Sequence, residues 1–167
     1  HQITALRETP AGTLRINADE YAIQSVLWAA VEKIIKKYPD IAVEMTSDYG
    51  LTHIVDGRFD AGIRVGGRLE KDMVAVRLTP DLNMVAVASP DYLARRGIPQ
   101  SPAELQDHEC INWRLQMDGR PYRWEFQERG QPLEVAVDGP IVTNHPDIGI
   151  AAALDGLGIA YHFEKEG

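Results

Sequence analysis

Apolar residues near the start of the chain recur at helical spacing. Ile23, Val26, Leu27, Ala30, Val31, Ile34, Ile35 and Tyr38 fall on one helical stripe. Asp19 and Glu20 stand at its start and Lys36 and Lys37 at its end, the order of charge that suits the helix dipole. Pro39 stops it. Before this helix, Thr13-Leu14-Arg15-Ile16-Asn17 alternates and predicts a strand; after it, Ile41 to Thr46 predicts another, with Ile41, Val43 and Met45 on one face. Asp48 can cap a helix carrying Leu51, Ile54 and Val55, and Gly57 can close it. Asp60 to Val65 is a third strand. Strand, helix, strand, helix, strand predicts right-handed crossovers and a parallel sheet.

The second half reads differently. Val74 to Leu78 and Leu82 to Ala88 are extended runs. Ser89-Pro90 and Ser101-Pro102 each place an N-cap before a proline at the first helical position. His108 to Trp113 predicts a strand. Tyr122 to Phe126 and Leu133 to Val137, separated by Arg129-Gly130-Gln131, predict a hairpin. Ile141-Val142-Thr143 leads through Asn144-His145-Pro146-Asp147 to a small-residue helix from Ile148 to Leu154, then a strand over Gly158 to Tyr161. The expected division is a linker remnant over 1–12, a first α/β lobe over 13–88 and a second over 89–161.

The 167 residues and 44% apolar content suit one domain or two small lobes. The formal charge of −8 repels phosphate backbones, so this segment is not expected to bind DNA itself. Cys110 is the single cysteine and reads as a buried, inert thiol. No signal peptide or membrane-spanning run is read, and none of the apolar runs approaches the roughly 18 residues a span needs. The chain opens on His1 rather than Met, and the expectation is a domain taken from a longer protein.

In parallel α/β sheets, ligands collect outside the carboxyl ends of the strands. That rule selects Ala18, Asp19 and Glu20 after the first strand, Ser47, Asp48 and Tyr49 after the second, and Arg64 to Gly66, Val65 included, after the third. From the second lobe it selects Asn144, His145 and Asp147, with Tyr161 and His162 as additions. Helix N-termini facing this region suit a small carboxylate. Asp19, Glu20 and Asp48 read equally as helix caps or first-turn charges, and an amine or a neutral polar ligand stays open beside an anion. Arg64 has two readings: a bidentate grip on a carboxylate, or a structural pair with Asp60, Asp48 or the polar rim. His53, His108, His145 and His162 are scattered without metal spacing, and neither a metal nor a cofactor is expected. Gly62, Gly66 and Gly67 do not open a helix and make no dinucleotide fingerprint, and Ser89 lacks the glycine-flanked elbow of hydrolases. With no nucleophile–base pair in view, an enzyme is not expected.

An ordered series of segments resembles the effector-binding domain of LysR-type transcriptional regulators. The matching pieces include Gly12-Thr13-Leu14-Arg15-Ile16, Lys37-Tyr38-Pro39-Asp40-Ile41, Asp56 to Arg64, Val74 to Leu78, Ala88 to Gly97 and Ala152 to Ala160. The resemblance implies an α/β, type 2 periplasmic-binding-protein-like fold: two lobes, a hinge and a central cleft holding a small-molecule effector. It also implies a homodimer or homotetramer in the cytoplasm, with no membrane partner and DNA reached only through an upstream winged helix-turn-helix. The face of the long helix opposite its core stripe, with the strand Ile41 to Thr46, is the implied contact surface. Residues 162–167 would begin a return to the first lobe, whose carboxyl-terminal part is then missing. Related domains often carry a small hydroxyl residue at the first ligand position, where this chain has acidic residues. A periplasmic solute-binding protein of the same fold is the alternative.

Overall fold

A computed structural model describes residues 9–47, 58–64, 74–79, 81–114 and 120–164. The chain falls into two compact units, His1–Val76 and Arg77–Gly167.

In the first unit, β1 (Gly12–Ala18) pairs in parallel with β2 (Ile41–Ser47) on one side and β3 (Ala61–Ile63) on the other. The carboxyl half of this central strand is covered on both faces: Ile16, Asn17 and Ala18 are all buried. Helix α1 runs from Glu20 to Lys37 in three segments: Glu20–Ala22, a π-helical Ile23–Leu27, and Trp28–Lys37. Ala22, Leu27 and Val31 from this helix pack with Ile16 and Ala18 to form the core, flanked by Leu14, Ile23, Val43, Met45 and Ile63.

The π segment corrects the stripe drawn from the sequence. The Trp28 N–H donates to the Ile23 carbonyl five residues back, so one turn is wider than the 3.6-residue projection assumes. Buried positions are therefore spaced five and then four apart, at Ala22, Leu27 and Val31. Ala30 and Ile35, expected in the core, are exposed, as is Trp28.

The second unit carries a four-stranded sheet in the order β4 (Met84–Val87), β9 (Ile159–Phe163), β5 (Cys110–Trp113), β8 (Ile141–Thr143). β4 is antiparallel to β9; the other pairs are parallel. Helix α2 (Pro90–Arg96) begins at Ser89, whose hydroxyl accepts from the Tyr92 N–H at 3.1 Å. The Ser101-Pro102 repeat of this device opens a 3-10 helix, Pro102–Asp107, rather than an α-helix. The hairpin β6 (Trp124–Glu128) and β7 (Gln131–Val135) covers one face of the sheet, with Tyr92, Leu105, Cys110, Trp124, Val135, Ile159 and Tyr161 in one core. Helix α3 (Pro146–Leu154) covers the other, through Ala152 and Ala153 against Ile111 and Ala160.

Two boundaries differ from the sequence reading. The sequence places Met84 to Val87 in the first lobe, yet β4 pairs with β9, Ala86 opposite Tyr161, so it belongs to the second sheet. An apolar run announces a strand but not which sheet it joins. Residues 162 and 163, read as the start of a return segment, complete β9 instead.

Candidate functional site

The carboxyl ends of the three parallel strands in the first unit lie at one level. Ala18 stands opposite Ser47 on one side and opposite Ile63 on the other. Sequence-selected residues 18, 47 and 64 are thereby brought to one sheet edge. Asp48, Tyr49 and Val65 lie outside the described residues.

Ala18 is fully buried. Asp19 is buried and its Oδ1 accepts from the Ala22 N–H at 2.7 Å. The carboxylate thus caps α1, one of its two sequence readings. Glu20 follows half-buried in the first turn, where its charge suits the dipole. Ser47 is exposed at the tip of β2.

Arg64 turns back onto the sheet. Its Nη1 donates to the carbonyls of Asn17 at 3.1 Å and Ile63 at 2.9 Å, and its Nη2 donates to Asn17 Oδ1. Asn17, 2% exposed, also donates through Nδ2 to Thr46 Oγ1 at 3.2 Å. The strand-end rule selects the residues that follow Asn17 but not Asn17 itself. The available signal was an amide side chain inside the central strand, flanked by Ile16 and Ala18. Asp60, one of the partners considered for Arg64, accepts from the Arg15 backbone N–H at 2.8 Å.

In the second unit, Asn144 and His145 follow the carboxyl end of β8. The His145 N–H donates to Thr143 Oγ1 at 3.1 Å, and the His145 carbonyl accepts from Gly149 in the first turn of α3. His145 is exposed and Asn144 half-buried. Tyr161 is not at this edge. It is 2% exposed, stacked on Trp124 and Tyr122, and its hydroxyl donates to the Glu125 carbonyl at 2.8 Å. Burial pushes its phenol up, partly offset by the Glu125 backbone hydrogen bond. It is a core residue, placed there because alternate β9 side chains face the hairpin. His162 is also buried, its Nδ1 3.0 Å from the Phe163 carbonyl.

The Cys110 thiol is pushed up to about 12, by burial first and by Glu109 and Asp138 second, and it lies 3.6 Å from the Leu105 carbonyl. A thiol held protonated is not a nucleophile. Among the described residues no group of three or more His, Cys, Asp or Glu is placed to hold a metal ion. An open depression of about 450 Å³ in the second unit, lined by Asp91, Ala94, Arg95, Leu154, Asp155 and Gly156, lies where α2 meets the end of α3.

Residues 7–162 match the family described as the LysR substrate binding domain. The chain belongs to that family. It is 42% identical over 159 residues to the HTH-type transcriptional regulator PgrR of Escherichia coli (strain K12), covering 95% of this chain and 53% of the relative. It is 31% identical over 163 residues to the HTH-type transcriptional activator AaeR of the same organism, covering 96% and 51%. The chain thus spans about half the length of the curated relatives it matches. Among solved structures, the full-length Vibrio cholerae virulence activator AphB superposes with a TM-score of 0.74 at 23% identity, covering 97% of this chain and 54% of that one. The CrgA regulatory domain from Neisseria meningitidis gives 0.67 at 22%, covering 92% and 73%. These likenesses show the LysR regulatory-domain fold, a type 2 periplasmic-binding-protein-like α/β architecture. Among the described residues no helix is long and apolar enough to cross a membrane.

Proposed function

We propose that this LysR substrate-binding domain senses a small-molecule effector at the carboxyl edge of the first unit's sheet and reports it, within a cytoplasmic transcription regulator, to a DNA-binding domain elsewhere in the protein. The observation that carries this reading is the level register of Ala18, Ser47 and Ile63, which opens three strand ends side by side. The turn at Asn144 and His145, after β8, is the corresponding strand end in the second unit. The effector is bound and released unchanged. Its occupancy matters only through a difference in affinity between two arrangements of the regulator.

The same regulator assembles as a homodimer or homotetramer. Trp28 and Ile35 are 53% and 43% exposed and sit seven residues apart, two turns along the same face of α1. Apolar side chains on a helix surface otherwise rimmed by Lys33, Lys36 and Lys37 suit a buried contact with a second copy. Trp28→Asp is expected to lower the assembly state in sedimentation velocity; an unchanged sedimentation coefficient removes this face from the interface.

The effector reading is tested by screening small metabolites for thermal stabilisation of the regulator, then assaying hits for altered promoter retention. A ligand that stabilises the protein and shifts its DNA binding supports the reading. Stabilising ligands that leave DNA binding untouched separate sensing from regulation.

A further inference from the structure

The proposed effector edge is held by something more specific than the backbone ladder. Asn17 lies in register with Thr46 on one side and Gly62 on the other. Its side chain joins Thr46, in that row, to Arg64, two residues beyond Gly62. The carboxamide oxygen accepts from Arg64 Nη2, and the amide nitrogen donates to Thr46 Oγ1 at 3.2 Å. Only this orientation satisfies the cation, which has no acceptor of its own to offer. Arg64 Nη1 meanwhile takes the Asn17 and Ile63 carbonyls at 3.1 and 2.9 Å. Those carbonyls lie where the sheet ends, and a buried carbonyl must find a donor.

We infer that Arg64 is a positioning residue for the effector edge, acting through Asn17 to fix the carboxyl ends of β1, β2 and β3 in one frame. The inference rests on the effector reading above for its purpose but not for its geometry. A guanidinium suits the task because its two Nη atoms are held at fixed separation in a plane and reach three acceptors on two strands at once. Bonds to a charged donor are about twice as strong as neutral ones, so one side chain sets the strand ends more firmly than another ladder bond. The relay then passes the constraint from Arg64 to Thr46, a residue that is not among its own hydrogen-bond partners here.

The test is hydrogen–deuterium exchange by mass spectrometry on the intact regulator, with no ligand added. Arg64→Lys keeps the charge and removes the fork. It is expected to speed exchange about tenfold in peptides covering 13–18 and also 41–47, with those covering 110–113 and 141–143 unchanged. In a Thr46→Val background the same substitution is expected to add nothing further at 41–47. A merely structural arginine would give additive effects, and additivity overturns the proposal. Thr46→Val alone removes the acceptor for the Asn17 amide and leaves Arg64 its three acceptors, and is expected to loosen 41–47 while sparing 58–64. Wild-type exchange at 41–47 in that variant, or an Arg64→Lys effect confined to 58–64, also overturns it. Exchange requires no effector, so a metabolite screen that fails leaves this result standing, and the converse holds.

Discussion

The phenol ring of Tyr161 lies against the indole of Trp124, ring centroids 5.0 Å apart and planes 16° from parallel. Both side chains are almost wholly buried, and each bonds its polar atom across to the other element, Tyr161 of β9 to the hairpin and Trp124 of the hairpin to β5. Tyr161 donates to the Glu125 carbonyl and accepts the Glu125 N–H at 3.2 Å. Trp124 Nε1 donates to Asn112 Oδ1 at 2.8 Å. This stack fastens the β6–β7 hairpin to the sheet. Tyr161→Phe, which orphans both Glu125 backbone groups, is expected to cost about 1–2 kcal/mol in urea unfolding. Trp124→Ala is expected to cost about 3–5 kcal/mol, because it also leaves a cavity.

The Asp19 cap is a separable contribution in the first unit. Asp19→Ala is expected to lower stability by about 1 kcal/mol, and Asp19→Asn by only a few tenths, since both carboxylate and carboxamide oxygens accept from the Ala22 N–H. Denaturant midpoints of the two variants check the ordering.

How far the sequence carried this picture depended on the length of its signals. The parallel β1–β2–β3 arrangement, the Ser89 cap and the hairpin were all legible, because alternation and capping are local. The site positions at strand carboxyl ends followed from one topological rule. Three things did not follow. The π segment of α1 is invisible to a fixed 3.6-residue projection, which misses the five-residue step from Ala22 to Leu27 and draws Ala30 inward. The sheet to which Met84–Val87 belongs depends on a partner more than seventy residues away, in β9. Tyr161 sits at a strand end in the sequence, but the pleat turns it toward Trp124. Asn17 was legible in principle, as a polar residue between Ile16 and Ala18 in the central strand of its sheet, yet nothing local named Arg64 and Thr46 as its partners.

Cys110 offers a prediction in pH. Its folded thiol is raised to about 12 from an ordinary value of 9.0, so the native state retains a proton that the unfolded chain gives up. Stability from this group is fully present below pH 9 and falls as pH rises through the window up to about 12. Iodoacetamide at pH 8 is expected to leave the native thiol unmodified and to alkylate it rapidly after unfolding in urea. Rapid native labelling would contradict the buried placement.

Gly139 and Gly158 mark where two loops run against β5. A Cβ on Gly139 would fall 2.0 Å from the Cys110 carbonyl oxygen, and one on Gly158 would fall 2.6 Å from that of Glu109. Backbone cannot yield as a side-chain tip does, so Gly139→Ala is expected to destabilise by more than the roughly 1 kcal/mol typical of a point substitution. Gly149→Ala, with open space around the new methyl, serves as the control and is expected to be neutral or mildly stabilising.

The decisive question is whether the open strand ends of the first sheet hold a molecule and leave it intact. Isothermal calorimetry of the regulator with the strongest thermal-shift hit, followed by mass analysis of what is recovered, answers it directly. A saturable one-to-one isotherm, weakened when Ser47 is replaced by a bulky residue, with the compound returned unaltered, is the expected result. A compound that comes back chemically changed, or that binds Ser47→Trp as tightly as the parent, would contradict it.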